Sequence, residues 1–232
     1  MLTFAAGCVN ATAAVACQRY VTHVTGTVTR IGMEFARATI LLEFMFVLAC
    51  FLVGAGVSAV LINGRAHRGL RPFYAAPLVI VAAATAGVAL VGHAGVFGVF
   101  GGPIDQSGDF VMLSILSFAS GLQNAAVATS TGLLVRTTHL TGPATDLAIH
   151  IVELGYLEGE PRRSALRHGL LRAGKIAAFA TGAAAGVMLA HAAGYLAFLV
   201  PAGLELLAAF LSFLPQRIGG AATNDPAPPA SS

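Results

Sequence analysis

Whatever chemistry this chain performs is carried by two copies of one polar string, Thr22-His23-Val24-Thr25-Gly26 near the start and Thr138-His139-Leu140-Thr141-Gly142 past the middle. Each copy follows an apolar run containing a second matched string, Ala5-Ala6-Gly7-Cys8-Val9-Asn10-Ala11 in the first case and Ala119-Ser120-Gly121-Leu122-Gln123-Asn124-Ala125 in the second. Hydroxyls, carboxamides and imidazoles are suited to hold a small polar or anionic solute, and histidine can change charge near neutral pH. The candidate substrate-binding set is therefore Asn10, Thr22, His23, Thr25, Gly26, Gln123, Asn124, Thr138, His139, Thr141, Gly142 and Asp146. For the histidines, proton coupling competes with a neutral ring bonded to a neighbouring threonine or carbonyl. For the asparagines, lining a pathway competes with a hydrogen bond that holds helices together.

Catalysis is not expected. The sequence offers no Ser-His-Asp or Cys-His set at a common predicted depth, no phosphate-binding glycine loop and no nucleotide motif. No histidine is spaced with Cys, Asp or Glu as a metal ligand would be, so neither metal nor cofactor is anticipated. Cys8, Cys17 and Cys50 fall inside apolar runs and read as packing residues.

The elements that position these groups are membrane spans. Hydrophobic residues make up 56% of the 232 residues and charged residues 10%, and the charges are absent from windows long enough to cross about 30 Å of hydrocarbon as a helix. Spans are expected at about Leu2–Val21, Thr39–Ile62, Phe73–Phe100, Phe110–Val135, Leu170–Ala190 and Gly194–Leu214, the last two as an antiparallel hairpin. Short helices should follow the first and fourth, over Thr27–Ala38 and over Pro143–Leu157, with Pro143 at a permitted first-turn position. Ser164 reads as a cap of the fifth span, and Lys175 and Glu205 as residues near span ends that snorkel to the interface. The net charge of +3 resides in short basic connections and indicates orientation rather than nucleic-acid binding.

The fold expected is all-α: a polytopic membrane protein of six transmembrane helices, arranged as a 3+3 inverted repeat with short interrupted helices after spans one and four. Three spans per copy is an odd number, so the second copy enters the membrane upside down. Residues 1–104 form the first repeat, 105–218 the second, and 219–232, rich in Ala, Pro and Ser, a disordered tail. Phe51–Leu61 aligns with Phe179–Leu189, placing Gly54 opposite Gly182 and Ser58 opposite Gly186, small pairs that let helix backbones approach. Arg30 aligns with Asp146, an opposition of charge that could pair across the repeats. The basic connections after spans two and four place both termini in the cytoplasm of a bacterial inner membrane.

The strings Gly7-x-x-Asn10-Ala11 with Thr25-Gly26, and Gly121 to Ala125 with Thr138 to Leu147, resemble those of the YoaK family of uncharacterised bacterial inner-membrane proteins, over nearly the whole chain to about Leu214. That resemblance implies a six-span membrane protein without a settled activity. Family members often carry aspartate where Asn10 stands and asparagine where Thr27 and Pro143 stand. The expected function is a small-solute transporter or permease with its polar site at the repeat interface; the alternative is a non-transporting membrane scaffold or accessory protein. The partners are the lipid bilayer and a small polar or anionic solute, with a homo-oligomer left open and no nucleic acid.

Overall fold

The computed structural model describes residues 1–103, 106–131 and 136–213, which form helices and their connections with no strand among them. Asp105, the end of the fourth expected span at Val135 and the expected tail lie outside the described residues. The order is α1 (Leu2–Cys17), α2 (Val24–Met33), α3 (Ala38–His67), α4 (Ala75–His93), α5 (Ser107–Ser130), α6 (Thr141–Glu153), α7 (Gly159–Ala193), a 3-10 turn over Gly194–Phe198, and α8 (Leu199–Leu211).

Among the described residues, four segments are long and apolar enough to cross a membrane: 38–67, 75–93, 107–130 and the continuous stretch 159–211. Helix α1 is apolar but has 16 residues and α8 has 13, each short of the roughly 20 needed for a straight crossing. Six full-length spans are thus not what helix length alone delivers. The reason is that α1 stops early at Gln18, in the left-handed conformation with φ 55°, while the chain after α7 bends at Gly194 and spends five residues in the 3-10 turn.

The distribution of side chains is that of a bundle in lipid. Large apolar groups such as Leu52, Val53, Leu206, Leu207 and Phe210 point outward, whereas Ala5, Ala6, Gly7, Gly54, Gly121, Gly182 and Ser58 are buried. Small inward residues serve backbone approach where burial against lipid gives no hydrophobic gain.

Those close approaches fix the architecture. Helix α1 packs along α7, and α3 along α5. A Cβ at Gly7 would run into the Phe179 carbonyl oxygen and one at Gly182 into that of Phe4; across the other pair, Gly121 meets the Phe51 carbonyl and Gly54 that of Phe118. Further pairings recur likewise: α2 on α3 and α6 on α7, α4 on α5 and α8 on α1, with α4 and α8 against each other.

Several expectations need correction. Among the described residues α8 packs on α4 and α1 and makes no packing contact with α7, so the last two helices are not a hairpin; the 3-10 turn carries the chain away before α8 begins. Helix α7 starts at Gly159, after Glu158 in extended conformation. Ser164 therefore lies inside the helix, its hydroxyl 3.4 Å from His168 Nδ1, and caps nothing. The helix that does have a capping box is α5, where the Asp109 carboxylate accepts the Gln106 backbone N–H at 3.0 Å.

Candidate functional site

The polar strings acquire their geometry from where α1 and α5 hold their asparagines. In the first copy, Asn10 sits two turns before the end of α1, and the chain doubles back so that Thr22 lies beside it. The Thr22 backbone N–H and hydroxyl both donate to Asn10 Oδ1, at 3.1 and 3.0 Å. In the second copy Asn124 Oδ1 accepts from the Thr138 N–H at 3.1 Å and the Thr137 hydroxyl at 2.9 Å, while its Nδ2 donates to Thr138 Oγ1 at 2.5 Å. Asn10 stands seven residues before Cys17, which at the helical rise is about 10 Å back into the bundle. Both threonine segments are thus re-entrant, and non-helical backbone at such depth is tolerated where protein or a cavity satisfies it.

The Thr-His-x-Thr-Gly string starts a short helix rather than ending a long one. His23 is the N-cap of α2, and Leu140 that of α6, so Gly26 and Gly142 occupy first turns. Neither glycine has positive φ. What glycine supplies here is therefore space rather than an unusual backbone angle. A Cβ on Gly26 would overlap the His23 ring, and one on Gly142 would lie 2.9 Å from His139 Nε2. The imidazoles rest on these glycines, exposed, and among the described residues neither ring makes a hydrogen bond to a threonine or carbonyl. The spacing of histidine to glycine, three residues, is the helical spacing that permits this stacking.

The two re-entrant segments meet. A cavity of about 720 Å³ is lined by Thr22, His23 and Thr25 from the first copy and by Asn124, Thr138, His139 and Thr141 from the second, with Phe51, Ala55 and Ala125 completing its wall. A smaller lobe of about 280 Å³ shares Thr22, His23, Thr138 and Thr141 and adds Asn10 and Phe179. Eight of the candidate binding residues thus converge on one region. The remaining four, Gly26, Gly142, Asp146 and Gln123, do not: the two glycines lie under the histidine rings, and Asp146 is in a neighbouring basic pocket. Gln123, counted with the asparagines in the sequence, is in fact turned elsewhere, donating to the Leu2 carbonyl at 3.2 Å; eight residues, Asn10 included, are the ones that line the two lobes.

The pairing of Arg30 with Asp146 is absent. Arg30 and Arg37 both reach Glu34, at 3.7 and 2.7 Å, and Asp146 accepts from Arg172 Nε at 3.0 Å. Each short helix takes its ionic partners from its own surroundings, Glu34 being buried between two arginines.

One polar residue escaped the sequence reading. Glu205, expected to snorkel, is 1% exposed in α8. It faces a small void with Thr85, Ser120 and Gln123, and its Oε2 has no hydrogen-bond partner. The signal was present: Glu205 shares a helical face with Pro201, Ala202, Ala208 and Ala209, small residues that turn inward, while Leu206, Leu207 and Phe210 face out. The Thr85 hydroxyl, which donates to the Val81 carbonyl at 2.9 Å, also interacts with the Glu205 carboxyl, and Oε2 remains without a partner. Glu205→Gln, which brings donors, is expected to raise stability by about 1–3 kcal/mol. A thermal scan of the purified variant checks this; a lower midpoint would show that the carboxylate has a structural partner.

Re-entrant segments meeting at a polar cavity within an apolar helical bundle define a multi-pass membrane protein. The chain belongs to the family described as "Protein of unknown function (DUF1275)", whose model matches residues 1–211, in keeping with its resemblance to YoaK. No curated protein and no solved structure matches it.

Proposed function

We propose that the chain is a small-solute transporter or permease of the bacterial inner membrane, built as a 3+3 inverted repeat of six spans with both termini cytoplasmic. The observation that carries this reading is the cavity of about 720 Å³ to which both copies of the polar string contribute. Moving a solute across an apolar bundle requires polar groups at its centre and two related halves around them. The recurrence of the α1–α7, α2–α3 and α4–α5 pairings as α5–α3, α6–α7 and α8–α1, and of the Gly7 and Gly182 approaches as those of Gly121 and Gly54, supports the inverted repeat. In it, α1 with its re-entrant segment and α8 with the preceding 3-10 turn complete the two crossings that are short as helices. The basic connections at Arg65 to Arg71 and Arg162 to Arg172 support the orientation.

The scaffold reading draws on a different observation, the mutual satisfaction of Asn10 with Thr22 and of Asn124 with Thr137 and Thr138. Those bonds explain how the segments are held; they leave His23, Thr25, His139 and Thr141 exposed at the cavity.

Screening the purified protein for thermal stabilisation by metabolites and ions, then measuring flux of each hit in proteoliposomes, separates the two. Ala55→Phe, which projects bulk into the cavity and removes no hydrogen bond, is expected to lower flux more than about tenfold with the unfolding midpoint retained. A broad screen without a stabilising solute, or full flux in Ala55→Phe, would overturn transport through this cavity.

A further inference from the structure

Between α6 and α7 lies a second cavity of about 700 Å³, adjoining the central one and sharing Arg136 and His139 with it. We propose that this pocket is a binding site for a phosphate-bearing anion, either a soluble phosphate compound or the headgroup of an anionic lipid. The inference rests on the membrane placement of the chain and not on transport.

The lining is cationic. Arg136, Arg172 and Lys175 face the pocket together with His139, His150 and His168, against one carboxylate, Asp146. Asp146 is engaged by Arg172 Nε at 3.0 Å, which leaves the outer guanidinium nitrogens, one of them 3.3 Å from the His168 carbonyl. Lys175 Nζ donates one bond, 2.6 Å to the His139 carbonyl, out of three it can make. Arg136 lines the same pocket as Lys175, and among the described residues it has no carboxylate within 4.0 Å. Two cations lining one cavity are stabilised by an anion between them, and a phosphate matches guanidinium and ammonium donors together. The first turn of α6, at Gly142 and Pro143, also opens on the pocket, with the positive end of the helix dipole directed there.

The matched cavity of the first half also has Arg19, Arg30 and His23 in its lining, but its long-helix wall is apolar. There Phe44 and Val47 occupy the positions of Arg172 and Lys175, under the register that aligns Phe51 with Phe179. The cavity at that place is about 170 Å³, and Arg19 stacks 5.5 Å from the centre of the Phe44 ring. Duplication alone would have copied an apolar wall. The second half instead has two cations and a larger space, with Leu170 and Leu171 exposed at its edge where an acyl chain could lie.

The test uses the full chain purified in a neutral detergent, titrated with inorganic phosphate and separately with short-chain phosphatidylglycerol, with phosphatidylcholine and chloride as controls. Binding is followed by native mass spectrometry and by the unfolding midpoint. Wild type is expected to bind one or both anions in preference to the controls, and Arg136→Gln and Lys175→Gln to weaken that binding at least about tenfold. Lys175→Arg keeps the charge and should retain binding, which separates loss of the site from loss of the fold. Arg37→Gln, on the other side of the molecule's sequence match, should bind as wild type. Phosphate that displaces the lipid places both at this pocket; lipid binding without phosphate binding assigns the lipid headgroup, and the reverse assigns a soluble ligand. Equal binding of anions and controls, or unchanged affinity in Arg136→Gln and Lys175→Gln, would overturn the proposal.

Discussion

Gly121→Leu is expected to lower the midpoint of thermal unfolding in detergent by about 10 °C, corresponding to a loss on the order of 3 kcal/mol. At Gly121 the obstacle is backbone: an added Cβ would collide with the Phe51 carbonyl oxygen, and with the carbonyl carbon behind it at 2.9 Å. A flexible side chain could rotate away, but a carbonyl inside a 30-residue helix moves only if α3 moves. Separating α3 from α5 would in turn open the central cavity, because Gly121 and Phe51 both line it. Gly56→Leu is the control. Gly56 belongs to the same helix as Phe51, with nothing within 4 Å of its added Cβ, so its variant should unfold near the wild-type temperature. A Gly121→Leu midpoint equal to that of Gly56→Leu would show that the crossing is looser than described.

Asn124→Leu should release the second re-entrant segment. Leucine removes the acceptor of the Thr138 backbone N–H and of the Thr137 hydroxyl, together with the donor to Thr138 Oγ1. The hydroxyls can rotate toward other oxygens. The amide cannot, and a half-buried amide left unpaired costs about 1 kcal/mol. Hydrogen exchange followed by mass spectrometry should then be faster across 136–146 in the variant, with little change in α3 or α4. Asn124→Asp separates acceptor from donor: it keeps an oxygen for the Thr138 N–H, and exchange there should stay close to wild type. Unaltered exchange in Asn124→Leu would mean that α6 is held by its contacts with α7 alone. In the first copy both bonds end on Asn10 Oδ1, an atom that aspartate also has, so Asn10→Asp is expected to keep both.

Much of the bundle could be read from residue order because it depends on local composition. Charge-free windows located the long helices, and the small residues at Gly54 and Gly182 marked faces where backbones do meet. The matched strings Gly-x-x-Asn-Ala and Thr-His-x-Thr-Gly likewise pointed to groups that lie together, since an asparagine inside an apolar helix requires a partner and the threonines were the nearest matched donors. What could not be read depends on tertiary direction. Whether α8 returns along α7 or crosses to α4 is decided by five residues of 3-10 turn, whose conformation the sequence Gly-Tyr-Leu-Ala-Phe does not dictate. The function of Gly26 and Gly142 was hidden for another reason: glycine has two uses, unusual φ and empty space, and only the position of the histidine ring distinguishes them. Arg30 and Asp146 matched in alignment, yet Glu34 and Arg172 stood nearer to each in the folded chain.

The pairing of α1 with α7 and of α3 with α5 has a consequence for synthesis. Each tight crossing joins one helix from residues 1–103 to one from residues 106–213. As the chain emerges from the ribosome, the glycine face of α3 waits about forty residues for α5, and that of α1 waits until α7 is made, close to the end. Through most of translation the first helix is therefore in the membrane without its main partner, shielded only by lipid. Neither half holds a complete crossing, and the last long helix to be made closes the one that the first began.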